Sequence, residues 1–434
     1  MILAEVGWMV MGIVDTIMVG PLGPAAISAT GMGSSLFTAI AIFGMGLMLG
    51  LDAFVSHAHG AGDEAECKRL LHAGVWLAIA VAPLVMALAW LLLVSIDRWG
   101  LHPEIRVLVG PYLQVISLGA LPLLIYAAFR RYLQGLHVVR PIMLALVTAN
   151  LVNAGANWVL IYGHLGMPTL GVEGSAWATT AARVWMAGFL YLAIRREHRR
   201  RGDRDPALPW SSDLGRIRRL VALGFPAASQ VTLEVGVFAA ATALAGRLDP
   251  VSSGAHQIAL NLASLAFMVP LGLSSAGAVR VGHAMGGRDP DRAVRAGWTA
   301  LATGCVIMSA IGLALFLWPV RLLSAFSTEP RIIEIGVRLL AIAAAFQLFD
   351  GTQAVVTGIL RGIGDTRMPM IINIIGHWLF GLPVGYALCF RYAWGVEGLW
   401  VGLSIGLIFT AILLTVVWWR RTLVMQNSKC KMQT

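Results

Sequence analysis

Three polar residues, Gln347, Asp350 and Gln353, interrupt an apolar run between residues 341 and 361. Their spacing of three puts them on one face of a helix. An acid at the centre of a hydrocarbon-length helix costs about 2.5–3.5 kcal/mol on insertion scales, so it faces a wet cavity or a partner rather than lipid. The chemistry open to it is exchange, because a carboxylate in a poorly solvated space can hold a proton, a small monovalent cation or an organic cation in turn. The plainer alternative is a structural carboxylate paired off within the bundle.

Other intramembrane polar groups invite the same question. Glu234 shares a helix face with Gln230 and Phe238, and it lies in the same half of the chain as Asp350, so two carboxylates can line one half-cavity. Asp15 is the candidate of the first half. Asn150, Asn153 and Asn157 follow at spacings of three and four, and three amides on one membrane helix are too costly to leave in lipid. Their alternative role is interhelical packing. Gln257 and Asn261, with Ser264, form a similar face. Arg183 either holds Asp15 ionised or bonds carbonyls. Glu5 and Asp52 lie near span ends, where snorkelling and solvation are expected. His57 and His59 fall in an expected loop without further ligands, so no metal site is expected, and His256 and His377 read as hydrogen-bonded helix residues, with titration near neutrality as the alternative.

The elements that must position these groups are membrane helices. The 434 residues are 58% hydrophobic and only 12% charged, with mean hydropathy +0.77, which excludes a soluble globular protein. About twelve continuous apolar runs follow, each of the ~20 residues a helical span needs. They fall near residues 1–19, 25–55, 70–96, 107–129, 138–162, 172–194, 217–245, 253–279, 293–319, 332–360, 368–390 and 396–419. Pro83, Pro122, Pro270 and Pro383 are candidate kinks. Of the 32 lysines and arginines, 24 lie at alternate connections and the tail, seven at the opposite set, and Arg183 within a span. The positive-inside rule then places both termini in the cytoplasm. The net charge of +10 is dispersed among spans, so it marks topology and anionic lipid contact rather than nucleic acid. The four cysteines lack metal or disulfide spacing. Gly402-Leu403-Ser404-Ile405-Gly406 fits a nucleophile-elbow pattern, but inside an apolar helix it reads as a packing face.

An internal repeat organises the spans. Gly20–Pro24 matches Gly246–Pro250, and His57–Gly60 with Asp63 matches His283–Gly286 with Asp289. Leu133–Gly135 matches Leu360–Gly362, and Gly171–Gly174 matches Gly395–Gly398. The four offsets all lie between 224 and 227 residues, so the expected fold is all-α, with two six-helix lobes related by a parallel repeat and a central cavity between them. The expected organisation is a lobe at 1–195, an arginine-rich cytoplasmic linker at 196–216, a second lobe at 217–420 and a cytoplasmic tail at 421–434. The seventh span begins near Ile217, whose counterpart falls before Met1, so the repeat predicts a first helix shortened by up to ~10 residues.

The motifs resemble a known family. Gly12-Ile13-Val14-Asp15-Thr16-Ile17-Met18-Val19-Gly20 is similar to the first-helix signature of multidrug and toxic compound extrusion (MATE) transporters. Gly224-Phe225-Pro226 leading to Glu234, Ala255–Asn261, and Phe346–Asp350 followed by Gly358–Gly362 resemble the NorM-type branch, and the similarity covers essentially the whole chain. The resemblance implies an antiporter, not an enzyme, that expels cationic compounds in exchange for Na+ or H+ and needs no cofactor. It implies coupling-cation binding at Glu234 and Asp350 and a cation or proton site at Asp15 with Asn153, Asn157 and Thr179. A bacterial inner-membrane protein acting as a monomer is expected. The alternatives are a lipid-linked oligosaccharide flippase, which would need basic cavity residues for pyrophosphate, and less favourably a membrane-embedded enzyme or a channel.

Overall fold

The computed structural model describes residues 2–96, 103–201 and 213–433. Helices occupy all twelve expected spans. These are α1 (Ile2–Val19), α2 (Pro24–Leu47 continuing as Leu49–Gly60), α3 (Glu64–Ser95), α4 (Pro103–Leu118 and Ala120–Gly135), α5 (Arg140–Tyr162) and α6 (Val172–Arg200). The second set is α7 (Leu214–Ala245), α8 (Pro250–Gly286), α9 (Pro290–Leu317), α10 (Pro330–Gly362), α11 (Arg367–Arg391) and α12 (Gly395–Gln433). Among the described residues nine are long and apolar enough to cross a membrane by themselves, and the bent α4 pair makes a tenth. The other two are α1, which has 18 residues against 32 in α7, and α6, which carries Arg183 and a basic C-terminal turn.

The repeated motifs all sit at equivalent helix ends. Asp63 accepts from the Glu66 N–H at 2.8 Å to cap α3, and Asp289 accepts from the Arg292 N–H at 3.0 Å to cap α9. Pro24 and Pro250 open α2 and α8 at the first helical position, where a missing N–H costs nothing. Asp249 also caps α8, and bonds from the Ser252 hydroxyl and from the backbone N–H groups of Ser252 and Val251 hold its carboxyl below the usual range. His57 and His59 lie in the last turn of α2 rather than in a loop.

The chain divides into two units, Leu3–His59 with Asp63–Ala228, and Ser229–Thr434 with Gly60–Gly62. The division falls inside α7 rather than in the expected linker at 196–216. The first part of that linker continues α6 to Arg200, and residues 202–212 lie outside the described residues. Small residues explain where the division falls. A Cβ on Gly46 would come 2.6 Å from the Ala228 Cα, and one on Gly50 would come 2.9 Å from the Leu220 carbonyl, so the first half of α7 packs backbone to backbone on α2.

Within the first unit α4 packs on α2, α3 and α6, and within the second α10 packs on α8, α9 and α12. These central helices are counterparts in the repeat. The 43° bend of α4 lies at Gly119, three residues before Pro122, whose missing N–H leaves the Leu118 carbonyl without its helical donor. The α11 helix alternates α-helical turns with two π-helical stretches, Ile374–Gly381 and Ala387–Arg391. Its glycines meet α12 at the expected packing face. A Cβ on Gly402 would overlap Gly385 and come 2.7 Å from the Gly381 carbonyl, and Gly406 stands equally close to Gly376.

Overpacking that seam is expected to cost about 1–3 kcal/mol. Gly402→Leu should lower the melting temperature of the purified protein and its yield in the membrane, whereas Leu403→Met should leave both close to wild type.

Candidate functional site

Among the described residues, the acids singled out above anchor one buried polar group in each unit. In the first, Asp15 on α1 is saturated with donors. Its Oδ1 accepts from Asn153 Nδ2 at 2.9 Å and Asn157 Nδ2 at 2.7 Å, and its Oδ2 accepts from Thr179 Oγ1 at 2.8 Å. The Asn157 amide also reaches Asn153 Oδ1 at 3.2 Å. Spacing of four on α5 stacks the two amides one turn apart, and α6 delivers the threonine from the other side. The four residues expected to form a first-half site are therefore in direct contact. Asn150 takes the packing role instead, donating to the Gly7 carbonyl at 3.1 Å and so tying α5 to α1.

Arg183 does not bond Asp15. Its Nη1 donates to the Ile116 carbonyl at 3.1 Å, and its guanidinium lies 4.5 Å from the centre of the Phe37 ring. The break at Gly119 makes room for it, since a Cβ there would come 2.7 Å from that nitrogen. Two expectations are corrected nearby. Glu5 is buried and ion-paired with Arg130 rather than snorkelling, and Asp52 is fully buried with Arg131 at 3.1 Å rather than solvated. Both acids lie where a guanidinium from α4 replaces water, which a boundary estimate from hydropathy cannot reveal.

The second unit is arranged differently. Asp350 is buried on α10, and Glu234 on α7 is close enough for their charges to interact. Among the described residues no group donates a hydrogen bond to Asp350. One turn earlier Gln347 is fully buried with neither amide atom partnered. Gln353 Nε2 donates to Glu234 Oε1 at 2.6 Å, and the Asn373 amide of α11 lies against the same carboxylate. Gln230, one turn before Glu234, donates to Thr357 Oγ1 at 3.3 Å. These side chains divide the unit's core. Leu339, Leu340, Ala343 and Phe346 belong to one apolar cluster and Val355, Val356, Ile359 and Leu360 to another, with Gln347, Asp350 and Gln353 between them.

Gln257 and Asn261 stand exposed on α8 instead of joining this buried group. His256 is structural, as expected: the Trp400 indole donates to its Nδ1 at 3.0 Å and Thr242 Oγ1 lies 3.0 Å from its Nε2. The sequence reading missed Asn373 and Thr357. Asn373 lies four residues before His377, so the two share a helix face, and that spacing was the available signal.

A family model, MatE, matches residues 1–159 and 226–387. The chain belongs to the MatE family. It is thus a multi-pass membrane protein of a transporter family rather than an enzyme. A Mesorhizobium japonicum protein named "Probable multidrug resistance protein NorM" is 37% identical over 97% of this chain and 92% of its own. The Pseudomonas aeruginosa "Multidrug resistance protein PmpM" is 35% identical over 95% and 88%. The crystal structure of the eukaryotic MATE transporter AtDTX14 superposes with a TM-score of 0.87, covering 98% of this chain and 96% of the other at 20% identity, so the MATE fold is shared.

Removing one donor from a buried acceptor costs about 1–3 kcal/mol. Asn157→Leu should therefore lower the melting temperature, and in a double-mutant cycle with Asp15→Leu the losses should be clearly less than additive. Additive losses would mean that the two side chains do not interact.

Proposed function

We propose that the protein is a multidrug efflux antiporter of a bacterial inner membrane, with both termini cytoplasmic, that exports lipophilic organic cations in exchange for Na+ or H+ by alternating access. The names of the NorM and PmpM relatives support the drug-export part. The observation that carries the exchange part is the contrast between the two acids: Asp15 is saturated with hydrogen bonds, whereas Asp350 is buried without any from the described residues.

A carboxylate saturated with hydrogen bonds takes up a cation or proton only by giving up some of those bonds. An unsaturated one beside a second carboxylate has a strong affinity for positive charge, because few dipoles compete for it in a poorly solvated interior. Asp350 and Glu234 are therefore assigned the binding of the coupling cation in the second unit, with the side-chain carbonyl of Gln347 as a supporting oxygen ligand, the Gln353 amide holding Glu234 and Gln230 placing the Glu234 turn. Asp15 with Asn153, Asn157 and Thr179 is assigned the counterpart in the first. Exchange follows from competition. Cation binding on one side of the membrane lowers affinity for the drug, and drug binding on the other displaces the cation. Gln257 and Asn261, being exposed, are assigned to contact with the transported compound. A flippase for a pyrophosphate-linked lipid is disfavoured because both buried groups are built on acids and amides rather than on free basic residues.

Asp350→Asn should abolish export of a fluorescent cationic dye from proteoliposomes while leaving insertion and folding intact. Full retained export at normal protein levels would contradict the assignment. Glu234→Gln should change the response to separately imposed Na+ and pH gradients, and unchanged profiles would remove Glu234 from the site.

A further inference from the structure

Gln353 stands between two groups of fixed hydrogen-bonding character. Its Nε2 lies 2.6 Å from Glu234 Oε1, and its Oε1 lies 3.3 Å from His377 Nε2. An ionised carboxylate can only accept, so the amide must turn its NH2 to Glu234 and its carbonyl to His377. His377 completes that arrangement only with its proton on Nε2. Its Nδ1 is buried and has no partner, so nothing else holds the ring in this tautomer. His256 differs, since there the Trp400 indole donates to Nδ1 and settles the proton on Nε2.

The backbone around His377 is built to hold the ring in place. His377 lies in the π-helical stretch Ile374–Gly381, a form that recurs at functional sites because its wider turn re-aims a side chain. Gly376, next to it, packs directly against Thr410 of α12. Trp378, the following residue, donates from its indole to the Leu233 carbonyl at 3.0 Å, one residue before Glu234. The α11 helix therefore reaches the Glu234 turn twice, through the Trp378 indole directly and through His377 by way of Gln353.

We propose that His377 is a positioning residue for the exchange reaction: by donating from Nε2 to the Gln353 carbonyl it keeps the amide NH2 against Glu234. The proposal rests on the role assigned to Glu234. Without the histidine donor the Gln353 carbonyl loses its partner and only the carboxylate still holds the amide, which is then free to swing away from Glu234. Glu234 then loses the bond that fixes its direction. His377 itself is assigned no contact with cation or drug.

The test uses the full-length protein in proteoliposomes, with dye export measured against coupling-cation concentration. His377→Leu should raise the half-saturating cation concentration about tenfold, the lower end of what loss of an orienting partner costs, while the maximal rate changes little. His377→Gln, whose amide N–H can donate, should restore most of the lost affinity. An unchanged half-saturating concentration in folded His377→Leu overturns the proposal, and so does failure of His377→Gln to restore it, which would mean that the ring acts only by packing. Nitrogen NMR of ring-labelled wild-type protein gives a readout independent of transport and of variant folding. It should show His377 protonated on Nε2 alone, and a proton on Nδ1 with Nε2 bare overturns the proposal. Glu234→Gln is measured in parallel. If its cation response is unchanged, the role assigned to Glu234 fails, whereas a changed response beside an unaffected His377→Leu removes only the positioning role.

Discussion

A carboxylate inside a helical bundle must be met by donors or by positive charge, and the way each unit of this protein meets that demand shapes everything around it. In the first unit the demand is met by the chain. Two amides from α5 and a hydroxyl from α6 close around Asp15, and those bonds fix α1 against both helices. In the second unit the chain stops short. Asp350 and Gln347 are buried without hydrogen bonds from the described residues, in a polar band that splits the apolar core along α10. Buried polar groups left unsatisfied are rare and costly in stable proteins, and they gather where function requires them.

Small residues let the helices come close enough to deliver these side chains. The α11–α12 seam at Gly376, Gly381, Gly385, Gly402 and Gly406 brings the π-helical stretch and its histidine inward. The contact of Gly46 and Gly50 with the first half of α7 anchors that helix as far as Ala228, six residues before Glu234. In a membrane, where apolar side chains gain little by meeting each other rather than lipid, such backbone contacts and buried hydrogen bonds carry much of the specificity.

Much of this could be read in the sequence, for identifiable reasons. Hydropathy reports spans because backbone polar groups must be satisfied within each crossing, and all twelve runs are helices. The repeat was legible because its motifs are caps and turns, where residue identity is dictated by backbone geometry; Asp63 and Asp289 hold the same position in their helices. The Asp15 group was legible from the amide spacing on α5 and from the family resemblance. What stayed hidden depends on which helices are neighbours. The pairing of Glu5 with Arg130 and of Asp52 with Arg131 joins residues 125 and 79 positions apart, and no local pattern announces it. The π-helical turns of α11, which aim His377 at Gln353, leave no periodic signature, and the exposure of Gln257 and Asn261 could not be told from burial by spacing alone.

The central claim is that a cation and a drug compete for the acids of the second unit, the unsaturated Asp350 above all. It is tested most directly by measuring cation release when a lipophilic cationic drug binds the purified protein, using a pH-sensitive dye in weak buffer and a Na+-selective electrode in parallel. The account predicts that drug binding expels protons or Na+ from the wild-type protein and that Asp350→Asn suppresses the release. Saturating drug binding that expels neither ion from the wild type would contradict it.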